Sequence, residues 1–271
     1  MKKFKACGLG LRREFILDIL SCQSLPNWFE IVPENWFYIP NKYRETFEKI
    51  ASENTLVAHG LSLSIGSFEK LNKKYVKELK EFLDRYNIER YSEHLSFSSL
   101  DGNQTYELLP IPMTEKSAIF ISDKLKKAQD LLKREVIMEN PTYYYSPYSQ
   151  MREIDFTNLI LEKSQTKLLL DINNVFVNSL NHKFNPEEFI SEINSNKISY
   201  IHIAGYQKYD DVIIDTHGAK VNNNVWDLLE FTYSKIGLKP TLLERDNNIP
   251  PLKILMKEYN KMRDVYEKNR I

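Results

Sequence analysis

The chain is poor in cysteine. It has two, Cys7 and Cys22, and they do not form a CxxC pair. That excludes a disulfide framework and a zinc–thiolate site, and leaves two reduced thiols of a cytoplasmic protein. It also lacks a charge imbalance: 37 Lys and Arg face 37 Asp and Glu. A nucleic-acid binder needs a basic face, so no nucleic-acid partner is expected. No apolar run approaches the roughly 20 residues that span a bilayer, so no membrane partner is expected either. The N-terminus MKKFKACGLGLRREF has lysines but no apolar stretch behind them, unlike a secretory signal. GLGLRR is not the GxGxxG phosphate loop of an open doubly wound sheet. Linkers, low-complexity segments and short repeats are missing too.

What is present is an ordinary globular composition of 271 residues, 42% hydrophobic and 27% charged. Short β-rich runs alternate with stretches of helical period. The strands read as 4–12, 28–37, 55–66, 89–98, 135–141, 167–176, 198–206 and 240–248. Helices follow at 13–20, near 41–52, at 67–86, after Thr114, near 149–165, from Asn185-Pro186, up to Gly237, and at 251–268. In 67–86, Phe68, Leu71, Tyr75, Leu79, Phe82 and Leu83 recur at three- and four-residue steps. Asn185-Pro186 has the Asn cap and Pro-first pattern of a helix start. Eight strands in strict alternation with eight helices imply a parallel sheet. Runs such as KLLLDI are apolar throughout, as strands buried on both faces must be. The expected fold is a single (β/α)8 barrel domain over residues 1–271.

Polar groups close the apolar runs with regularity. His59, His94, Glu139, Asp171, His202 and Glu244 stand at the exits of strands three to eight. In such a barrel those exits converge on one mouth. Asp215 and His217, in the DTHG loop after strand seven, can reach it. Four imidazoles and four carboxylates exceed what one metal takes, so two or three metals bridged by carboxylates are expected. Nitrogen and oxygen donors without thiolate suit iron, manganese or catalytic zinc. Glu34, Asn35, Glu93, Asn140, Asn173, Asn174, Arg245 and Asp246 are candidates for orienting the ligands. Any one of these positions alone is more simply a rim residue or a helix cap; the ensemble is what points to metal. His182 has no strand context and reads as a surface histidine. Tyr143-Tyr144-Tyr145 fits a substrate groove or packing over the rim equally well. The lysine-rich segments LNKKYVKELK and DKLKKAQDLLKR read as solvated faces.

The series GLGLR, FEIVPEN, HGLSLSIG, SEHLSFS, MENP, LDINNVFVN, IHIAGY, DTHG and LLERD resembles the DUF692 family. These are multinuclear non-haem iron-dependent oxidative enzymes, among them the iron oxidase of methanobactin biosynthesis. The resemblance runs from about Cys7 to Asp246. It implies a TIM-type barrel, xylose-isomerase-like, holding two or three irons (Fe2+/Fe3+) on His59, His94, Glu139, Asp171, His202, Asp215, His217 and Glu244. It implies an O2-using oxidoreductase that modifies cysteine residues of a ribosomally made precursor peptide. Glu139 would bridge irons; Arg245 and Asp246 would orient the peptide or tune the site. Many relatives use a separate leader-binding partner protein. This chain ends soon after its last barrel helix, so such a partner would be another chain.

The rival reading is a zinc- or manganese-dependent barrel hydrolase or isomerase, of the endonuclease IV or sugar-isomerase type. The first would want basic loops facing DNA and the second a catalytic lysine at a strand exit; neither stands in the sequence. A non-catalytic metal- or peptide-binding protein is the third class.

Overall fold

Strands that are apolar on both faces need cover on both, and the chain meets that need by closing eight of them on themselves. A computed structural model describes residues 4–22, 24–146, 148–210 and 212–270. In chain order the elements are β1 (Cys7–Gly10), α1 (Ile16–Ile19), β2 (Trp28–Ile31), α2 (Asn41–Glu53), β3 (Thr55–Gly60), α3 (Lys73–Arg85) and β4 (Tyr91–His94). A hairpin, β5 (Phe97–Leu100) and β6 (Asn103–Leu109), precedes α4 (Glu115–Leu132). Then come β7 (Val136–Glu139), α5 (Glu153–Ser164), β8 (Leu168–Asp171), α6 (Ile172–His182), α7 (Pro186–Glu192) and β9 (Ile198–Ile203). A two-stranded ribbon, β10 (Gln207–Lys208) and β11 (Ile213–Ile214), leads to α8 (Asn223–Ile236), β12 (Thr241–Leu243) and α9 (Leu252–Lys268). The closed barrel runs β1-β12-β9-β8-β7-β4-β3-β2, and every pairing within it is parallel. No helix of the described residues is long and apolar enough to cross a membrane.

Alternation along each strand builds the lumen in layers. Trp28, Val57, Ile137, Leu169, Tyr200 and Leu242 form one buried cluster inside the barrel. Two residues further along each of those strands stand Glu30, His59, Glu139, Asp171, His202 and Glu244. The apolar layer therefore carries a polar layer directly above it. On β1 the lumen positions are glycines. A Cβ on Gly8 would lie 2.4 Å from the Trp28 ring, and one on Gly10 2.9 Å from the Arg12 guanidinium. Those two absences make room for the large groups.

The eight-strand barrel matches the sequence reading, and several bounds do not. The run 28–37 leaves the sheet at Ile31 and turns through a short 3-10 segment, Pro33–Asn35. The run 55–66 ends at Gly60. The helix expected over 67–86 begins only at Lys73, capped by Asn72 accepting from the Lys74 and Tyr75 amides. Phe68 thus lies outside it, exposed, against Phe120. The run 89–98 is two strands, because the chain turns back on itself after His94. Asp101 and Gly102 both have positive φ (51° and 74°), the requirement of a tight hairpin turn. The run 167–176 stops at Asp171, whose side chain caps α6 through the Asn174 amide at 2.6 Å. Two helices, not one, then separate β8 from β9, so the alternation is not strict. An apolar segment buried on all sides, INNVFVNSL, has no period to separate helix from strand.

Candidate metal centre

Register sets the donors side by side. His94 pairs with Glu139 across β4 and β7, and Asp171 with His202 across β8 and β9. His59 Nε2 and His94 Nε2 each lie 3.0 Å from Glu139 Oε2, and 3.2 Å from one another. For a metal about 2.1 Å from each donor, octahedral and tetrahedral edges are roughly 3.0 and 3.4 Å. Two imidazole nitrogens facing one carboxylate oxygen at these separations frame a cation.

Three such groups form among the described residues, and they share carboxylates. The first is His59, His94 and Glu139; the second Glu139, Asp171, His202 and Glu244; the third His217, Glu244 and Asp246. Glu139 turns Oε2 to the first group and Oε1 toward His202 Nδ1, at 3.7 Å. Glu244 Oε2 lies 2.9 Å from His202 Nδ1 and 3.3 Å from His217 Nδ1. Orphaned buried atoms mark the same spot. Glu139 Oε2, Asp171 Oδ2 and His202 Nδ1 face the first two groups without a well-aligned hydrogen-bond partner. Buried polar atoms without partners are costly, and cations held in these groups would satisfy them. The donor set fits a metal.

Electrostatics agree. Burial alone would lower the His94 pKa, yet Glu139 and Glu93 raise it to about 9. His202 and His217 are raised well above the ordinary value despite burial, by Glu30, Asp215 and Glu244. Burial pushes Asp171 far up, with Glu139 and Asp215 adding to it and His217 opposing. Glu244 is held well below the ordinary range by His202 and His217, against its burial. A metal bound here would have to displace protons from these imidazoles.

The residues around these donors hold them in place. His94 Nδ1 lies 3.1 Å from the Gly60 carbonyl, leaving Nε2 for metal. Asn140 brackets Asp171, accepting from its amide (3.0 Å) and donating to its carbonyl (2.9 Å). Asn174 donates to the Asn140 carbonyl at 3.1 Å. Glu34 and Glu93 lie outside the lumen and accept from the Leu61 and Leu63 amides, bracing the loop after β3.

Not every expected residue joins the donors. Asp215 lies 2.7 Å from His217 Nε2 and accepts from Asn173 (2.7 Å) and Thr142 (3.1 Å), outside the three groups. Asp246, expected to orient the peptide or tune the site rather than to bind metal, is in the third group. Arg245 turns away to Glu258 on α9, at 2.7 Å, beside a separate cavity. Asn35 is exposed at the rim of the mouth. His182 is half-buried, stacked on Tyr143 at 4.1 Å. Tyr144 OH accepts from the Asp215 amide at 2.9 Å, so this tyrosine packs over the rim.

Two functional residues escaped the sequence reading. Glu30 completes the polar layer, 2.9 Å from His202 Nε2. It sits inside FEIV rather than at its end, and its signal was the period-two spacing from Trp28. Arg12, at the exit of β1, is buried and contacts Asp246 and Glu244, the latter at 3.4 Å. Its charge competes with any cation in the third group. His217 itself has φ 45°, a strained conformation for a non-glycine residue, of the kind that gathers at functional sites. Above the donors opens a cavity of ≈ 440 Å³, lined among others by Arg12, Trp36, His59, His94, His217 and Glu244.

Comparisons with known proteins show the family. The sequence model of a family described as "RiPP precursor modification enzyme MbnB/TglH/ChrH" matches residues 6–267. A UPF0276 protein of Shewanella loihica is 44% identical over 259 residues, 94% of this chain and 92% of its own. One from Acinetobacter baylyi is 39% identical over 264 residues, 97% and 92% of the two chains. Among solved structures, the 3-keto-D-glucoside 4-epimerase YcjR of E. coli superposes with a TM-score of 0.61 at 14% identity, covering 96% of this chain and 100% of its own. Endonuclease IV of Thermus thermophilus gives 0.59 at 12%, covering 97% and 100%. At such identities these two show the barrel alone. Family match and curated relatives together establish that this chain belongs to the MbnB/TglH/ChrH family of enzymes that modify ribosomally synthesised precursor peptides.

Proposed function

We propose that this chain is a multinuclear iron enzyme that uses O2 to oxidise cysteine residues of a precursor peptide. The observation that carries the reading is the run of three donor groups joined by Glu139 and Glu244 beneath an open cavity. His59, His94, Glu139, Asp171, His202 and Glu244 would hold two irons. His217 and Asp246 would offer a weaker third position, because Arg12 already neutralises its carboxylates. Asp215 would orient His217. Donors of nitrogen and oxygen only, with bridging carboxylates, suit iron. When bound, iron would lower a substrate thiol's pKa and supply the electrons that O2 accepts.

The chain's own residues would do the rest. The barrel wall buries Glu139, Asp171 and His202, while His59, His94, His217 and Glu244 are reached from the cavity. The cavity seats the peptide with Trp36 and the Arg12 side chain on its walls. The reacting thiol would come from the substrate, because neither Cys7 nor Cys22 lines the cavity above the donors. A separate leader-binding protein would present the peptide.

The test is anaerobic reconstitution with Fe2+, then addition of O2 to enzyme and a cysteine-containing precursor peptide. A mass change confined to a cysteine, with O2 consumed, is the expected result. No change in the peptide with iron and O2, together with turnover of a phosphodiester or a sugar by the zinc-loaded enzyme without O2, would favour the hydrolase or isomerase reading instead.

A further inference from the structure

The first two donor groups are joined beneath the mouth as well as across it. His59 Nδ1 lies 2.8 Å from Ser92 Oγ. Ser92 Oγ lies 2.7 Å from Tyr200 OH. Tyr200 OH donates to Glu30 Oε2 at 2.8 Å, and both Glu30 oxygens lie within 3.2 Å of His202 Nε2. All five side chains are at most 3% exposed. Ser92 and Tyr200 each stand two residues before a histidine, His94 and His202, one lumen layer below the donors.

The protons in this chain have one consistent arrangement. A carboxylate only accepts, so Tyr200 and His202 Nε2–H both donate to Glu30. Tyr200 has then spent its proton, and Ser92 must donate to it. The alternative acceptor for Ser92, the Ala58 carbonyl, is farther, at 3.4 Å. Ser92 Oγ is left to accept from His59 Nδ1–H. The lone pairs therefore emerge at His59 Nε2 and His202 Nδ1, the two atoms that face the donor groups. The two histidines are driven into opposite tautomers from one end.

We propose that Ser92, Tyr200 and Glu30 are positioning residues forming one relay, anchored at Glu30, that fixes the metal-facing nitrogen of His59 and of His202 together. The inference rests on the metal reading above and deepens it. Successive hydrogen bonds polarise one another, so a break at Tyr200 is felt at both rings although its hydroxyl touches neither.

The experiment uses protein labelled with 15N-histidine and loaded with Zn2+, a diamagnetic probe. Long-range 1H–15N spectra report the tautomer of each ring, and five histidines make assignment simple. The expected spectrum has His59 protonated at Nδ1 and His202 at Nε2. Tyr200→Phe keeps the ring packed on Trp28 and should shift both resonances. Ser92→Ala should shift His59 more than His202, and Glu30→Gln should weaken Zn2+ binding about 10- to 100-fold. The same tautomer in both rings, or a Tyr200→Phe shift confined to one, would overturn the relay. A wild-type protein that retains no Zn2+ would overturn the metal reading itself, a distinct outcome.

Discussion

Asp171→Asn should separate stability from metal binding. Asp171 is fully buried, its Oδ2 has no hydrogen-bond partner, and its carboxyl is pushed far up by burial with Glu139 and Asp215 adding. Its Oδ1 caps α6, a bond worth about 1 kcal/mol that asparagine keeps. The substitution therefore loses no cap and removes a buried acid among acids. An unsatisfied buried polar group costs about 1–3 kcal/mol. The metal-free variant should be as stable as wild type, or more stable by up to that amount. For a chain of this size that is roughly 2–4 °C of Tm for each kcal/mol. With metal the order reverses, because ligand at 100 times its Kd stabilises the wild type by about 2.7 kcal/mol and the variant by less. Thermal melts in chelator and in Mn2+ read both halves. A metal-free variant melting well below wild type would refute the reasoning, since the carboxylate would then be a structural partner rather than a vacant ligand.

Three further outcomes follow from other parts of the fold. Gly205→Ala places a Cβ 2.3 Å from the Ala219 carbonyl and 2.4 Å from that of Lys220; it should displace the segment carrying His217 and lower total metal uptake, measured by equilibrium dialysis, while the first group still fills. Lys124→Met removes the buried ammonium that donates to the Ser64 and Ser67 carbonyls at 2.8 and 2.7 Å; each orphaned carbonyl costs about 1–3 kcal/mol, and a urea midpoint equal to wild type would contradict that. Glu153 is raised by burial to about 7, against hydrogen bonds from Tyr143 and Asn178. Its folded form binds the proton more tightly than the unfolded one, so its contribution is full below pH 4.5 and is lost as pH rises to about 7. Glu153→Gln should flatten the stability curve in that window, and an unchanged slope would count against it.

The barrel and most donors were legible in the sequence for a physical reason. Each donor stands where an apolar strand meets solvent, and that step from Leu or Ile to His or Glu survives in the one-dimensional pattern. Glu30 was not legible that way, because two apolar residues, Ile31 and Val32, follow it in its run and hide the step. Only the layer beneath, Trp28 with Tyr200 and Leu242, reveals it. Arg12 and Arg245 were interchangeable as letters at strand exits. Gly10, two residues before Arg12, admits its guanidinium to the mouth, while Glu258 draws Arg245 to the outside. The α6 helix was missed because its burial is uniform. The hairpin after His94 was missed because Ser96-Phe97-Ser98 continue the apolar run as if the strand went on, and its return strand reads as loop until Asp101-Gly102 is recognised as their turn.

The most direct test of the central claim is the metal content of protein purified without chelator, read by elemental analysis and Mössbauer spectroscopy. Two or more irons per chain, falling by at least one in His94→Ala, is the result the three linked donor groups predict. Zinc in place of iron, or at most one metal per chain, would contradict it.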